Sequence, residues 1–154
     1  MLNKFSLEGK VIIVTGGTGI LGNAMIEAIV EAGGIVGILG RKKEVAEERA
    51  AAINAKGGKA IALVADVMNV EQLQQCKQQA LDAFGKIDGL VNAAGGIMPE
   101  GVLQPTDDIF SMNVEGMKKT MELNLWGTII PTQVFGEAIV KTSGKGSIVN
   151  ISSM

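Results

Sequence analysis

Residues 11–22 read VIIVTGGTGILG, and this stretch determines how the rest of the chain is organised. Val11 to Thr15 has the length and the β-branched content of a buried parallel strand. The glycines that follow, Gly17-x-Gly19-x-x-Gly22, have the spacing of a dinucleotide-binding turn. Glycines there allow a tight bend, a close approach of the backbone to a pyrophosphate, and close packing of a helix on the strand.

An apolar helical pattern starts directly after the turn and predicts a helix from Ile20 to Ala32. Its N-terminus would direct free N–H groups and the positive end of the helix dipole at the phosphates. We expect one face of this helix to pack on the sheet, namely Leu21, Met25, Ala28, Ile29 and Ala32. An ordinary glycine-rich loop is the alternative, but the strand before it and the helix after it favour a nucleotide site.

The composition favours one soluble globular domain over residues 1–154, because 47% of the residues are hydrophobic and only 19% are charged. The net charge of −2 argues against a nucleic-acid partner. No apolar run approaches the roughly 20 residues of a membrane span, and the first ten residues lack a signal-peptide core. The single cysteine, Cys76, lies within a predicted helix and is interpreted as structural. We therefore expect a cytoplasmic protein with no membrane partner, and we also predict no metal site.

Four further apolar segments alternate with helical patterns. The predicted strands are Ile35 to Leu39, Lys59 to Val64, Gly89 to Ala93 and Gly146 to Ile151. The predicted helices run from Glu44 to Lys56, from the Asn69 cap onward, and from Val114 to Lys141. This alternation predicts an α/β fold: a Rossmann-type, doubly wound parallel sheet with three αβα layers, truncated after the fifth strand.

Two of these helices carry signals for their ends and their packing. Asn69 with Gln72 three residues later predicts a capping box. The inward face of that helix is predicted to be Val70, Leu73, Leu81 and Phe84. The long helix from Val114 is apolar on much of its circumference, which predicts burial both against the sheet and against a partner subunit.

Polar residues follow all five predicted strands. They are Gly16 to Gly22, Gly40-Arg41, Asp66-Val67, Asn92 to Gly95, and Asn150 to Ser153. Ligands of parallel α/β sheets bind beyond the carboxyl ends of the strands. Turns favour such residues in any protein, but five polar strand ends in succession favour a cofactor edge.

The end of the second strand discriminates between NAD and NADP. An acidic residue there would accept hydrogen bonds from the ribose hydroxyls and repel a 2′-phosphate; this chain has Gly40 followed by Arg41. Arginine suits bidentate phosphate contacts, and Lys42 and Lys43 lie at a helix start, where the dipole disfavours cations. We predict NADP, with NAD possible; a solvated charge cluster is the structural alternative.

Together these motifs resemble the N-terminal portion of the short-chain dehydrogenase/reductases. The matching motifs are TGGTGILG, the ADV at Asp66, the NAAG at Asn92, the N-L-x-G at Asn124, and the final IVNISS. They come in the family's order, at nearly its spacing, over essentially the whole chain. One detail departs: Ile20 stands where the common turn has its middle glycine, a variant also typical of the extended, epimerase-like branch.

Within the family, the chain is most similar to the D-mannonate oxidoreductases (fructuronate reductases), through GGTGILGNAM, NAAGG, M-x-L-N-L-W-G, PTQVFG and GSIVNISSM. This resemblance implies an NAD(P)-dependent oxidoreductase that transfers hydride between the cofactor and a sugar-acid alcohol or ketone. The enlarged stretch from Gly96 to Ser111 lies where the family has substrate-facing loops. The alternatives are a gluconate 5-dehydrogenase, a ketoacyl reductase, an epimerase-like enzyme, or a non-catalytic nucleotide-binding or interaction protein.

The resemblance also implies roles for individual residues. It assigns the pyrophosphate to Gly16, Gly17, Gly19, Ile20 and Gly22, the adenine to Asp66 and Val67, and the nicotinamide ribose to Asn92, Ala93 and Gly95. Ser153 would hydrogen-bond to the substrate oxygen, and Asn124 would support a water in a proton relay. An asparagine within a helix can instead simply bond to its neighbours.

Two further catalytic residues of the family, the Tyr and Lys of Y-x-x-x-K, are not in this sequence, which contains no tyrosine. The tyrosine is the general acid/base, and the lysine lowers its pKa. We therefore expect the 154 residues to be the cofactor-binding part of a longer enzyme, inactive alone, with the fifth strand at an exposed edge. The resemblance also implies a small-molecule substrate and a homodimer or homotetramer.

Overall fold

The computed structural model describes residues 5–152. The five strands are β1 (Val11–Thr15), β2 (Ile35–Gly40), β3 (Lys59–Val64), β4 (Gly89–Asn92) and β5 (Ser147–Asn150). The four helices are α1 (Ile20–Glu31), α2 (Lys43–Ala55), α3 (Val70–Phe84) and α4 (Val114–Ser143). Two 3₁₀ turns, Pro99–Gly101 and Ile109–Ser111, lie between β4 and α4. The elements alternate as the sequence predicts, and their ends lie within two residues of the predicted ones.

The strands form one parallel sheet in the order β3-β2-β1-β4-β5. The chain moves outward from β1 to β3 and then crosses back to the other side of β1. The strand order therefore reverses between β1 and β4, which is where ligands bind in open α/β sheets. The predicted doubly wound parallel sheet is confirmed.

Two hydrophobic clusters cover the two faces of the sheet. On one face, Ile13 and Leu90 of the sheet pack with Phe135 of α4 and with apolar residues of α3. On the other face, Val14 and Ile38 pack with α1 and α2. Because successive strand residues point to opposite faces, Ile13 and Val14 belong to different clusters. The result is the predicted three-layer αβα arrangement.

The buried face of α1 differs from the predicted one. Gly22, Ile26 and Ile29 are buried, whereas Leu21 is 68% exposed and Ala28 is also exposed. The helix begins directly after the glycine turn, and close contact of Gly22 with that turn fixes the inward direction. Ile29 is buried as predicted, and Met25 and Ala32 are half-buried, so the buried face is rotated from the predicted one. The apolar arc of α1 is wider than the face that it buries, so the periodicity alone did not fix which part points inward.

The start of α3 corrects two further predictions. The side chain of Asn69 accepts from Gln72 N (3.0 Å) as a cap, but Gln72 Oε1 accepts from Asp66 N (2.8 Å) instead of returning to Asn69. The reason is that Asn69 N already donates to Asp66 O (2.9 Å). Val70 is half exposed at the first helical position, and the buried residues are Leu73, Cys76 and Ala80.

The β5 edge and α4 carry much of the exposed apolar surface. All four residues of β5 are exposed, as expected for an edge strand. Helix α4 buries Val134 and Phe135 against the sheet, while Leu125 and Trp126 are about half exposed. The described residues therefore bury one side of α4, and the predicted subunit contact stays a prediction.

Candidate nucleotide-binding site

A groove of about 410 Å³ lies at the carboxyl ends of the strands, where the strand order reverses. Four segments that are distant in sequence form its walls. They are the glycine turn and start of α1, residues 40–42 after β2, residues 65–67 after β3, and residues 93–95 after β4, with Leu123 of α4. Of the predicted cofactor residues, the groove brings together Gly16, Gly19, Ile20, Gly22, Arg41, Asp66, Val67, Ala93 and Gly95.

The glycine turn is compact because two positions have no room for a side chain. Gly16 has φ +66°, a left-handed conformation, and a Cβ there would lie 2.6 Å from Ala93 O. A Cβ on Gly22 would collide with the carbonyl oxygen of Gly16. Gly17 lies behind the turn, buried, with its N–H donated to Leu39 O (2.9 Å), and does not line the groove.

The N-terminus of α1 presents unpartnered donors to this groove. The first backbone hydrogen bond of the helix runs from Asn23 N to Gly19 O (3.1 Å). The N–H groups of Ile20, Leu21 and Gly22 consequently have no partner within residues 5–152. The first turn carries no acidic side chain, so the positive end of the dipole is not neutralised locally. Such a terminus favours a phosphate.

The end of β2 is shaped by Thr18 of the turn. A Cβ on Gly40 would lie 2.5 Å from Thr18 Oγ1 and 2.6 Å from its Cγ2, so the Thr18 side chain fills the space that a side chain at position 40 needs. Arg41 and Lys42 are exposed at the groove and form no ion pair within the described part of the chain. This wall therefore offers two positive charges and no carboxylate from β2.

The end of β3 supplies Asp66 and Val67. Asp66 Oδ1 accepts from Met68 N (2.9 Å), and Gln72 holds the Asp66 N–H. Val67 is buried, and Gly127 of α4 lies so close that a Cβ there would be 3.0 Å from Val67 Cγ2. The backbone at this wall is thus held by the start of α3 and by α4.

Asn92 lies beneath the groove and connects three elements. Its Nδ2 donates to Thr132 Oγ1 of α4 and to Asn150 Oδ1 of β5, both at 2.9 Å. It is buried and does not line the groove, and its Oδ1 has no partner within residues 5–152. The side chain of Asn92 therefore links β4 to β5 and α4 by hydrogen bonds. Contact of Asn92 with a nicotinamide ribose stays a prediction.

The turn after β4 is held by Thr15, a residue that the sequence reasoning missed. Thr15 Oγ1 accepts from Ala93 N and from Ala94 N, both at 3.1 Å, and the side chain is fully buried. The signal in the sequence was a threonine at the end of an otherwise aliphatic strand. It fixes residues 93–95 beside the glycine turn.

Asn124 of α4 clamps the backbone of Gly96. Its Nδ2 donates to Gly96 O and to Thr120 O, both at 2.7 Å, and its Oδ1 accepts from Gly96 N (3.1 Å). Gly95 permits this approach, since a Cβ there would lie 2.5 Å from Asn124 Oδ1. The bond to Thr120 is a local helix contact, but the two bonds to Gly96 are not. The role in a proton relay stays a prediction.

The connection from β4 to α4 is attached to α4 at two more points. Met98 N donates to Thr120 Oγ1 (2.9 Å). A Cβ on Gly101 would lie 3.0 Å from the Gly116 carbonyl, so the two backbones are in close contact. The first part of the enlarged stretch, residues 96–101, is therefore fixed along α4, whereas residues 102–111 are exposed. Ser153, the other predicted catalytic residue, lies outside the described residues.

Three groups with displaced pKa values lie away from the groove. Burial raises the pKa of the Cys76 thiol to about 11, which agrees with a structural cysteine. The ammonium groups of Lys141 and Lys77 lower the pKa of exposed Glu137 to about 2. Burial opposes ionisation of Asp88, but hydrogen bonds from Val11 N–H, Lys86 and Lys10 hold its pKa below the ordinary value.

Within residues 5–152, no cluster of His, Cys, Asp or Glu side chains is arranged to hold a metal ion. None of the helices in that range combines the length and apolar character needed to cross a bilayer.

A family model for the short chain dehydrogenases matches residues 10–154. The chain therefore belongs to the short-chain dehydrogenase family, whose members are oxidoreductases, and the predicted family is confirmed.

Two of the chain's relatives are bacterial oxidoreductases. It is 33% identical over 157 residues to UxuB of Bacillus subtilis, called an uncharacterized oxidoreductase, with 97% of this chain and 56% of that protein covered. It is 32% identical over 156 residues to the 2-dehydro-3-deoxy-D-gluconate 5-dehydrogenase of Dickeya dadantii, with 100% and 57% covered.

A solved structure shares the fold. It is that of a Haemophilus influenzae protein proposed to be a D-mannonate oxidoreductase, with bound NAD; the TM-score is 0.84 at 31% identity, covering 97% of this chain and 56% of that one. The predicted resemblance to a D-mannonate oxidoreductase is thus matched by a structural neighbour. The chain spans a little over half the length of the proteins it matches.

Proposed function

We propose that the protein is an NAD(P)-dependent oxidoreductase that transfers hydride between a nicotinamide cofactor and a sugar-acid alcohol or ketone of the D-mannonate/D-fructuronate type. The observation that carries the cofactor part is the glycine turn: it leaves three N–H groups of α1 unpartnered at the groove where the strand order reverses. Other short-chain reductases, acting on gluconate or ketoacyl substrates, are the alternative within the same chemistry.

The residues present fit a dinucleotide. The turn has no room for a Cβ at Gly16 or Gly22, so its backbone can approach a pyrophosphate closely. Asp66 and Val67 would border the adenine, and Ala93 and Gly95 would flank the nicotinamide ribose. The bound nicotinamide supplies or accepts the hydride; the chain binds it, orients it and excludes water from one side.

We favour NADP over NAD because of the wall after β2. Thr18 fills the position where an acidic side chain would contact the ribose hydroxyls, and Arg41 and Lys42 lie beside it without a carboxylate partner in residues 5–152. Arginine binds a phosphate through paired hydrogen bonds. NAD remains the alternative, since the Haemophilus structure contains NAD.

Sugar-acid specificity is supported by two of the relatives, whose names refer to a mannonate and to a gluconate derivative. In this proposal Ser153 hydrogen-bonds to the substrate oxygen, and Asn124 fixes Gly96 beside the nicotinamide end of the groove. A general acid/base is also required, and the 154 residues contain no tyrosine. We therefore expect this chain to bind cofactor without turnover.

We also propose a cytoplasmic homodimer or homotetramer. The support is the exposed apolar surface of α4, on which Met121 is 65%, Leu125 55% and Trp126 47% exposed. Apolar patches of this kind mark contact surfaces.

The test has two parts. Calorimetry on the 154-residue chain measures binding of NADP⁺ and NAD⁺; saturable binding of either supports the dinucleotide site, and binding of neither overturns it.

The longest polypeptide that its own cell makes is then assayed for NADPH oxidation with D-fructuronate. Activity that Ser153→Ala abolishes supports the assigned role, whereas activity unaffected by that change, or confined to other ketones, contradicts the respective part of the proposal.

A further inference from the structure

Arg49 of α2 contacts the glycine turn without lining the groove. Its Nη1 donates to the carbonyl oxygen of Gly17 and to that of Gly19 (2.9 Å). The arginine is half-buried, does not line the groove, and forms no ion pair within residues 5–152. Its guanidinium, which is always charged, therefore has the glycine turn as its hydrogen-bond partner within residues 5–152.

These two hydrogen bonds also fix the direction in which the N–H groups of the turn point. In a trans peptide the N–H of one residue points opposite to the carbonyl of the residue before it. When the Gly17 and Gly19 carbonyls point at Arg49, the N–H groups of Thr18 and Ile20 must point away from it. Thr18 and Ile20 both line the groove, and Ile20 N–H is one of the unpartnered donors.

The geometry points to Arg49 as a positioning residue for pyrophosphate recognition. This role rests on the proposed dinucleotide function. Arg49 holds the carbonyl side of the turn, so the N–H side faces the phosphates before they arrive. Preorganised donors bind more tightly because ligand binding does not have to order them. Its unneutralised charge behind the turn also attracts the phosphates.

A purely structural role makes a different prediction. If Arg49 only attached α2 to the turn, its removal would weaken the binding of all ligands of the groove to the same extent. If it orients the turn, the loss is confined to ligands that carry a pyrophosphate. Two fragments of NADP separate these cases, because ADP-ribose has the pyrophosphate without the 2′-phosphate, and adenosine 2′-monophosphate has the reverse.

The experiment measures the dissociation constants of NADP⁺, ADP-ribose and adenosine 2′-monophosphate by calorimetry on the 154-residue chain. Arg49→Met keeps an unbranched stem and removes the guanidinium donors. We expect it to raise the dissociation constants of NADP⁺ and ADP-ribose about tenfold, and that of adenosine 2′-monophosphate less than about twofold. Arg49→Lys, which keeps the charge and a donor, recovers part of the ADP-ribose loss.

Arg41→Met is the matched control, because Arg41 lies at the groove beside Gly40. It should weaken NADP⁺ and adenosine 2′-monophosphate and leave ADP-ribose nearly unchanged. Equal weakening of all three ligands by Arg49→Met, or no weakening, overturns the positioning role. If Arg49→Met does not fold by circular dichroism, Arg49→Lys takes its place, and equal changes in ADP-ribose and adenosine 2′-monophosphate overturn the role. A wild-type chain that binds none of the ligands contradicts the dinucleotide function itself.

Discussion

The β1–β2 side of the sheet and its β4–β5 side are built differently. In β1 and β2, Val14, Val36 and Ile38 are fully buried beneath α1 and α2. In β5 every residue is exposed, Val149 to 50%. A cavity of about 500 Å³, lined by apolar side chains that include Ile12 and Val91, opens onto this second side. The sheet is thus closely packed beneath α1 and α2, while its β5 edge is open.

β4 is itself buried against α4, and side-chain hydrogen bonds hold the backbone at its carboxyl end. Asn92 connects β4 to β5 and α4, Thr15 holds residues 93 and 94, and Asn124 holds Gly96. Hydrogen bonds are directional, so they fix the position of the backbone that follows β4. The comparison teaches that steric contact at Gly16 and Gly22 makes the glycine turn compact, whereas side-chain amides and hydroxyls hold the connection after β4.

Gly22→Ala should have the largest effect and act on the packed side. The added Cβ collides with the carbonyl oxygen of Gly16, so the turn must open, and we expect NADP⁺ to bind about 100-fold more weakly. Calorimetry measures the loss. Gly136→Ala is the matched control, because among residues 5–152 its Cβ would meet Ile148 Cδ1 alone, at an ordinary contact distance of 3.6 Å, and it should leave binding unchanged. Equal affinities for the two variants would contradict the steric account.

Arg41→Asp tests whether the cationic wall selects the 2′-phosphate. The substitution removes a charge-assisted phosphate contact and adds a repelling carboxylate. It should raise the dissociation constant of NADP⁺ about 30-fold, while that of NAD⁺ stays the same or falls. The ratio of the two dissociation constants is the measurement. Lys56→Asp makes the same change in charge just beyond the far end of α2 and should not shift the ratio. A ratio indifferent to Arg41→Asp would count against the NADP preference.

Asp88→Asn should destabilise the fold by about 1–2 kcal/mol at neutral pH, because the carboxylate accepts from Val11 N (2.9 Å) and pairs with Lys86 (2.9 Å) and Lys10 (3.3 Å) where β1 and β4 begin. Hydrogen bonding lowers the pKa of Asp88 in the folded state despite its burial. Its stabilisation is therefore present above the unfolded pKa of about 3.9 and is lost as the pH falls through the folded pKa.

Urea unfolding of the wild type and Asp88→Asn between pH 7 and pH 2 measures this difference. Asp82→Asn, on the exposed side of α3, is the control and should change the free energy of unfolding by less than about 0.5 kcal/mol. A difference between wild type and Asp88→Asn that persists undiminished at pH 2 would show that the carboxylate charge is not its cause.

The smallest effect is expected for alkylation of Cys76. Burial raises its pKa to about 11, so at pH 8 the thiol is protonated and covered by the sheet and α3. Mass spectrometry after iodoacetamide treatment should show negligible labelling of the folded chain and complete labelling in urea. Rapid labelling without urea would mean that α3 opens readily.

Much of the fold could be predicted because its signals are local. Glycine spacing, β-branched runs and the alternation of strand and helix are each read within a few residues, and they placed the strands and α-helices to within two residues but not the two 3₁₀ turns. The inward face of α1 could not be predicted, since its periodicity fits more than one side. The hydrogen bond from Asp66 N to Gln72 Oε1 could not be predicted either. A glutamine at this position can accept from the Asn69 N–H, as in a capping box, or from an N–H of the preceding loop, and the sequence is the same in both cases.

The sequence by itself determined the order of the strands and helices, the glycine turn and the polar residues at the strand ends. These depend on backbone conformations that particular residues allow or forbid. Only the tertiary structure decided that Asn92 ties strands together instead of lining the groove, that Asn124 clamps Gly96, and that Arg49 holds the glycine turn. Arg49 and Gly17 lie 32 residues apart. Contacts at such separations arise only when the sheet brings distant segments to one edge.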